Sequence, residues 1–253
     1  MTDTTTDNPC LLECDGAIAT LTLNRPEARN ALSIDLLEAL NDRLDELAPM
    51  DDISVVIFTG AGRAFCAGMD LKAVLHEAGA PARLLALIAD ATLKLRALPM
   101  PTIARVNRAA IGGGCGLMCV CDFAVTHDDA KIGYPEVDLG VCPAVVAPWL
   151  ARRVGPGTAR RILLSGGTMS GTRAHELGMV TTLTTSETLD NEVRNLAERI
   201  ASGGPAALRA TKLWLNELDG PDLAGQVAKG ARISTEVVTS DEARACLERV
   251  FAR

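Results

Sequence analysis

Aromatic residues are scarce in this sequence: two Trp, one Tyr and four Phe make up 3% of its 253 residues. The core must therefore be built from aliphatic side chains, and hydrophobic residues, at 48%, are numerous enough to form one. This composition excludes a chain that is disordered throughout. A length of 253 residues fits a single α/β domain better than two domains.

Basic residues are also few, because 25 Lys and Arg stand against 32 Asp and Glu, for a net charge of -7. This balance argues against a nucleic acid or an anionic membrane as the partner, since both attract basic surfaces. The sequence contains no uncharged apolar run of about 20 residues, and its start, MTDTTTDNP, lacks the features of a signal peptide. We therefore expect a soluble, cytoplasmic protein.

The eight cysteines include no CxxC pair. Cys115, Cys119 and Cys121 are close in sequence, but CxxxCxC without a nearby His is not a zinc-site spacing. They lie among apolar residues, so we expect buried, reduced thiols and no metal site.

Strand and helix patterns alternate through the first part of the chain. Strands are predicted at Cys10 to Leu23 (two strands around a turn at Asp15 and Gly16), Val55 to Thr59, Thr102 to Val106, Phe123 to Thr126, and Lys131 to Gly133. Helices are predicted after a cap at Ser33, near Asp70, from Pro81 to Leu98, and after the glycine run 112–114. Beyond Pro143 the pattern is mostly helical, with a strand signal only around Val180 to Leu183. This order predicts one α/β domain, with a core over residues 1–190 and a helical C-terminal region over 191–253.

Two predicted strand-to-helix junctions have the small residues typical of anion-binding turns. They are AFCAGMDLK at 64–72 and IGGGCGL at 111–117. The first amides of a helix have no partner inside it, so one amide from each junction, aimed at one oxygen, would form an oxyanion hole. Taken singly, the first junction also fits an ordinary βα turn, and the glycine run fits a helix packed closely on a sheet.

Four motifs follow one another in the chain: NRPEARNAL at 24–32, FCAGMDLK at 65–72, AIGGGCGL at 110–117 and YPEVDLGVCPAVVAPWL at 134–150. In this order they resemble the crotonase superfamily, the enoyl-CoA hydratase/isomerase family, with motifs running through residues 17–180. The resemblance implies an α/β fold with a crotonase-like ββα spiral core and a helical C-terminal trimerisation region. It implies an acyl-CoA substrate, no cofactor beyond the coenzyme A of that thioester, and a homotrimer or a dimer of trimers. Apolar residues of the C-terminal helices are candidates for that interface, among them Trp214, Leu218, Val238 and Leu247.

Carried over by position, the resemblance implies that the backbone amides of Met69 and Gly113 form the oxyanion hole for a thioester enolate. It also implies a substrate- and CoA-binding set, which comprises Arg25, Ala28, Ala67, Gly68, Met69, Asp70, Leu71, Lys72 and Gly113. Cations such as Arg25 and Lys72 can form charge-assisted hydrogen bonds with phosphates. In the family a C-terminal Phe and a basic residue can reach a neighbouring subunit's ligand, and Phe251 and Arg253 are the candidates here.

The best-known hydratases of the family use two glutamates, one after the glycine run and one in a P-E motif. This chain departs from that pattern, because Gly116 stands at the first position and only Glu136 remains at the second. Glu136 follows a proline in a mostly apolar stretch, where burial would raise its pKa toward a useful value. Asp138 would share a face with Glu136 in an extended segment but not in a turn.

We therefore expect an enoyl-CoA hydratase in which Glu136 is the sole evident acid/base. One carboxylate is also sufficient to move a double bond, so a Δ3,Δ2-enoyl-CoA isomerase is the alternative. The missing first glutamate motivates a third reading, an acyl-CoA binding protein without turnover. The segment EVDLGVCPAVVAP, paired with Gly116, resembles a subgroup of hydratases for branched or glutaconyl-type enoyl-CoA, which places hydratase first. The sequence does not specify the length or branching of the acyl chain. The apolar candidates, Met69, Val74, Leu75 and residues 141–146, fit either a pocket or the core.

Overall fold

The computed structural model describes residues 8–71 and 79–251. Its larger sheet has the order β1 (Cys10–Asp15), β2 (Ile18–Leu23), β3 (Val55–Gly60), β4 (Thr102–Val106), β6 (Phe123–His127) and β9 (Thr182–Thr184). The smaller sheet has the order β5 (Ala109–Ile111), β7 (Lys131–Gly133) and β8 (Thr168–Ser170). The β1–β2 and β7–β8 pairs are antiparallel, and the other pairs are parallel.

Helices cover both faces of the larger sheet and form the C-terminal region. They are α1 (Ile34–Leu47), α2 (Ala80–Ala97), α3 (Gly113–Val120), α4 (Ala147–Val154), α5 (Pro156–Ser165), α6 (Gly171–Glu176), α7 (Leu189–Ala201), α8 (Pro205–Leu218), α9 (Leu223–Val238) and α10 (Asp241–Phe251). Short 3-10 helices span Pro26–Ala28 and Glu136–Leu139. The side chain of Ser33 accepts a hydrogen bond from the Leu36 N–H at 3.3 Å, so the predicted cap of α1 is confirmed.

The strand β3 explains why an uninterrupted apolar run was needed at this position. All six of its residues are buried. Val56 and Phe58 pack into the main core, whereas Val55 and Ile57 pack on the opposite side in a second cluster with Leu189 of α7. A parallel strand that is covered on both faces has no polar face to expose, hence the sequence VVIFT.

The α/β class and the predicted strands are confirmed, with ends that differ by one or two residues. The prediction that strand structure beyond Pro143 occurs only around Val180 to Leu183 was wrong, because β8 is a second strand beyond Pro143. The three-residue strands β5 and β8 were not predicted. Both are defined by their pairing with β7, which lies in a different part of the chain.

Some predictions fall outside the described residues. They concern Lys72, Val74, Leu75 and Arg253, and the same holds for the side chain of Phe251. Leu71 is helical, and the rest of the helix predicted from Asp70 lies in this part of the chain. Within the described residues, no helix is both long enough and apolar enough to cross a membrane.

Candidate active site

The NRPEARNAL segment is held to the rest of the molecule by the buried side chain of Asn30. Its amide donates to the carbonyl oxygens of Ala61, at 3.0 Å, and Ala64, at 2.8 Å. Its side-chain oxygen accepts from the Arg25 N–H at 2.8 Å. Asn30 has a φ of 55° and Arg29 one of 53°, left-handed values that are uncommon for non-glycine residues, although Asn adopts them more readily than most. These hydrogen bonds position the segment against the loop that follows β3.

That loop runs alongside β5. The Cys66 N–H donates to the Ala109 carbonyl at 2.9 Å, and the Cys66 carbonyl accepts from the Ile111 N–H at 3.0 Å. Together with the Leu32–Met69 bridge, this contact extends the smaller sheet to residues 32 and 69. The two predicted junctions are therefore neighbours in space, as an oxyanion hole requires.

A backbone irregularity at Gly68 determines where the Met69 amide points. The Gly68 carbonyl accepts from the Leu32 N–H at 2.8 Å, and the Asp70 N–H donates to the Leu32 carbonyl at 3.0 Å. The Gly68 carbonyl points toward Leu32, and the Met69 N–H belongs to the same trans peptide group. The Met69 N–H therefore points in the opposite direction, away from Leu32. In a regular strand the Ala67 N–H and the Gly68 carbonyl would point to opposite sides. Here both are hydrogen-bonded to the NRPEARNAL segment, at Arg29 and Leu32, so the alternation of backbone direction breaks at Gly68, whose φ of 91° favours glycine.

The second amide lies at the start of α3. Gly112 precedes the helix with a φ of 53°, and its N–H donates to the Gly133 carbonyl at 2.8 Å. Gly113 is the first helical residue, so its N–H has no acceptor inside α3. Within residues 8–71 and 79–251, neither the Met69 nor the Gly113 N–H donates to a backbone carbonyl. Both residues line one cavity.

The cavity has mainly apolar walls, contributed by α2, α9 and the segment before α4. These residues are Leu85, Ile88, Leu139, Val141, Val145, Val146 and Val238. Val238 lines the cavity and Leu247 is also buried within the chain, so their assignment to a subunit interface was wrong. The contributions of α2 and α9 were missed from the sequence, because their apolar residues have the spacing of ordinary core positions.

Glu136 brings its carboxyl group into this cavity. It begins the 3-10 helix after Pro135, and its Oε2 is buried without a hydrogen-bond partner in the described chain. Burial raises the pKa of Glu136 from 4.5 to about 7. Near neutral pH both protonation states are populated, so this carboxyl group is suited to accept a proton and return it.

Gly116 faces an apolar side chain. A Cβ at Gly116 would lie 2.3 Å from Cγ1 of Val146, which is buried. The space that a side chain at this position would need is therefore filled. Among the described residues that line the cavity, Glu136 is the only carboxylate.

Asp138 does not assist Glu136. Its Oδ2 accepts from the Gly167 N–H at 2.7 Å, and the side chain is exposed. The segment is a 3-10 helix, so of the two geometries considered for Asp138 the turn applies. Asp138 instead fixes the loop before β8.

The residues predicted to bind coenzyme A divide into two groups. Ala67, Gly68 and Leu71 line the cavity together with Met69 and Gly113. The second group, Arg25, Ala28 and Asp70, is absent from the described lining.

Arg25 is occupied within the chain. Its Nη1 donates to the Ala31 carbonyl at 2.8 Å and lies 3.6 Å from Oδ2 of Asp70. The guanidinium therefore links the NRP segment to the residue that follows Met69.

Comparisons with known proteins are consistent with this geometry. A family model described as enoyl-CoA hydratase/isomerase matches residues 13–251. Crotonyl-CoA hydratase of Syntrophomonas wolfei is 35% identical over 210 residues, which cover 82% of this chain and 81% of that protein. The 2,3-dehydroadipyl-CoA hydratase of Escherichia coli is 34% identical over 223 residues, with coverages of 88% and 87%. Among solved structures, an enoyl-CoA hydratase of Mycobacterium smegmatis has a TM-score of 0.81 at 30% identity, covering 96% of each chain.

Proposed function

This chain belongs to the enoyl-CoA hydratase/isomerase family, and on that premise we propose that it adds water across the C2–C3 double bond of a 2-enoyl-CoA thioester. The named relatives, a crotonyl-CoA hydratase among them, support a hydratase. One observation carries the proposal: within the described residues, Glu136, whose Oε2 has no hydrogen-bond partner, lines the same cavity as Met69 and Gly113, whose N–H groups donate to no backbone carbonyl.

The two amides act on the thioester oxygen. When a nucleophile attacks C3, the electron pair of the double bond moves toward C2 and the carbonyl, and negative charge collects on that oxygen. The Met69 and Gly113 N–H groups donate to the oxygen as the charge develops, which stabilises the enolate more than the bound substrate. One such donor contributes roughly 10²–10³ to the rate in known oxyanion holes.

Glu136 carries the proton. As a carboxylate it removes a proton from water while the water oxygen bonds to C3, and the enolate forms. The protonated Glu136 then returns that proton to C2, which collapses the enolate to the 3-hydroxyacyl thioester. The net change is the addition of one water molecule, and Glu136 ends in its starting state.

A Δ3,Δ2-enoyl-CoA isomerase is the second candidate, favoured by the single carboxylate of the described lining. In that reaction Glu136 removes a proton from C2 of a 3-enoyl thioester, and the same amides hold the dienolate. The proton returns at C4 and the double bond moves to C2–C3. No second group is needed to orient a water molecule.

The assembly we propose is a homotrimer, alone or paired as a dimer of trimers. The supporting observation is an exposed apolar surface on α8, which comprises Leu213, Trp214, Leu215 and Leu218, with Trp214 59% exposed and Leu218 62% exposed. Several large exposed apolar side chains on one helix are typical of contacts between proteins. A second copy of this chain is the partner that the family relationship favours.

The reaction as proposed uses no cofactor other than the coenzyme A of the substrate. We also propose a cytoplasmic location. All eight cysteines are free thiols, which is typical of proteins from a reducing compartment.

The decisive experiment assays purified protein with crotonyl-CoA and longer 2-enoyl-CoA thioesters, following the loss of enoyl absorbance, and with a 3-enoyl-CoA, following the 2-enoyl product. The Glu136→Gln variant is expected to lower kcat about 10²–10⁴-fold. The Asp138→Asn variant is the matched control, since it removes a carboxylate two residues away that does not line the cavity.

The hydratase is supported if the wild type and Asp138→Asn hydrate the substrate and Glu136→Gln shows the expected decrease. Double-bond migration without hydration replaces it by the isomerase. If Glu136→Gln changes neither activity while thioester binding persists, both reactions assigned to Glu136 are wrong.

A further inference from the structure

Resting on the proposed function, we propose that this enzyme is specific for acyl groups that end in hydrocarbon and rejects acyl groups that carry a terminal carboxylate. The inference concerns the part of the substrate beyond C3. It departs from the glutaconyl-type substrates of the subgroup that the segment EVDLGVCPAVVAP resembles, because a glutaconyl group ends in a carboxylate. It follows from the composition of the cavity wall, from the charges around it and from the hydrogen-bond donors that remain available.

The wall beside Glu136 consists of tightly buried aliphatic side chains. Leu85 and Ile88 of α2 are 3% and 2% exposed, Val238 of α9 is 3% exposed, and Val146 is 1% exposed. Such side chains favour a hydrocarbon chain, because each methylene removed from water contributes to binding. They offer no hydrogen bond to a carboxylate.

Val146 closes the wall toward α3. Its Cγ1 occupies the space next to Gly116, where a Cβ would be 2.3 Å away. A larger or polar side chain at position 116 would have to displace Val146, and the close packing leaves no room there for a water molecule. A carboxylate brought to this wall would lose its hydration without a replacement.

The charge in the cavity is also unfavourable to a second anion. No Lys, Arg or His occurs among the lining residues that the structure describes, and the ionisable groups there are Glu136 and the thiol of Cys142. Burial raises the pKa of the Cys142 thiol, which keeps it neutral at physiological pH. A terminal carboxylate would therefore meet no described compensating cation, and the Glu136 side chain would repel it whenever that side chain is ionised.

Among the described lining residues only Ser234 carries a hydroxyl group, and this group is already hydrogen-bonded within the chain. Ser234 is buried, its Oγ donates to the Cys142 carbonyl at 2.8 Å, and the same oxygen accepts from the Val145 N–H at 3.2 Å. To bind a carboxylate, Ser234 would have to give up the Cys142 carbonyl and leave it unpaired. Burying an anion without partners is strongly unfavourable, whereas a methyl group makes no such demand.

The test compares two saturated five-carbon thioesters that differ only at the chain end, pentanoyl-CoA and glutaryl-CoA. Both contain the same coenzyme A, so the ratio of their dissociation constants by calorimetry isolates the terminal group. We expect pentanoyl-CoA to bind at least about ten-fold more tightly. Equal binding, or tighter binding of glutaryl-CoA, would overturn the inference.

A pair of variants at Leu139 tests the electrostatic cause. Leu139 lines the cavity and is half-buried, so a lysine there can keep its ammonium group partly hydrated. Leu139→Lys is expected to shift the binding ratio toward glutaryl-CoA at least about ten-fold. Leu139→Met, of similar volume and no charge, is expected to leave the ratio within about two-fold. An unchanged ratio in the lysine variant contradicts a chain end in this cavity.

These binding measurements do not require turnover, so their failure is distinguishable from failure of the proposed function. Hydration of crotonyl-CoA combined with tight binding of glutaryl-CoA would remove the inference and keep the hydratase. Selective binding of pentanoyl-CoA without any turnover would remove the hydratase and keep the selectivity of the cavity.

Discussion

The carboxyl group of Glu136 lies directly against the backbone of Gly112, where a Cβ would be 2.5 Å from Oε1. Gly112 also has a φ of 53° and a ψ of -119°, which a residue with a Cβ rarely adopts. The residue that precedes the amide at Gly113 thus also provides the space for the carboxyl group.

Replacing Gly112 by Ala is therefore expected to displace Glu136 and lower kcat at least about ten-fold, in line with the cost of misplacing a reacting group. The measurement is steady-state kinetics with the best 2-enoyl-CoA. Gly16→Ala is the matched control, because Gly16 has a φ of +59° but nothing within 4 Å of a Cβ. A Gly112→Ala enzyme as active as Gly16→Ala would show that the carboxyl group does not need this space.

The pH dependence of activity follows from the pKa of Glu136, which is about 7. Both candidate reactions begin with removal of a proton by the carboxylate. The value of kcat/KM is therefore expected to rise with pH and to reach half of its plateau near pH 7. A profile of kcat/KM between pH 5 and 9 checks this, and a rate already constant from about pH 5 would contradict the raised pKa of Glu136.

Stability should change with pH in the opposite direction. The folded-state pKa of Glu136 is raised from 4.5 to about 7, so the folded protein holds this proton more tightly than the unfolded chain. Its contribution to stability is fully present below pH 4.5 and is lost as pH rises through about 7. Relative to Glu136→Gln, the wild type is expected to lose about 3 kcal/mol of unfolding free energy across this window. Denaturant titrations of both proteins measure the difference, which a pH-independent offset would contradict.

The contact between Gly116 and Val146 predicts a substitution that the fold resists. Gly116→Ala places a Cβ 2.3 Å from Val146 Cγ1 and is expected to lower the unfolding free energy by about 1–3 kcal/mol. Gly157→Ala, in α5 with nothing within 4 Å, is expected to be neutral or stabilising. In a double-mutant cycle, Val146→Gly should offset part of the Gly116→Ala cost. Strict additivity would show that the two residues are not in contact.

The apolar surface of α8 predicts an effect on assembly. Trp214→Asp places a charge on a residue that is 59% exposed in the single chain, and the proposed homotrimer is expected to dissociate, as measured by light scattering. Leu164→Asp is the control, because Leu164 is 70% exposed but lies on α5. Identical assembly of both variants would exclude α8 as the interface.

Local patterns were sufficient for much of the fold. The cap at Ser33 and the uninterrupted apolar run of β3 depend on neighbouring residues, and the structure has both where they were predicted. The resemblance also located Glu136, which does line the cavity. By contrast, β5 and β8 are defined by their pairing with β7, which lies in a different part of the chain, and they were not predicted from their own residues.

The residues that form the walls of the candidate site could not be predicted from the sequence either, because they come from distant parts of the chain. Val238 lines the cavity with Met69, although more than 160 residues separate them in the chain. Its aliphatic side chain has no feature that distinguishes a cavity wall from a core or an interface. Likewise, the sequence shows that position 116 is a glycine and has no carboxylate. Only the structure shows that Val146 fills the space next to Gly116.

The break in alternation at Gly68 separates two properties of the residue that follows it. The direction of the Met69 N–H is determined by backbone hydrogen bonds to Leu32, which do not involve the Met69 side chain, and Met69 is one of the residues that line the cavity. Position 69 can therefore exchange its side chain, and with it the shape of the acyl site, while the proposed donor stays in place. Substrate range and enolate stabilisation can thus evolve independently at a single residue.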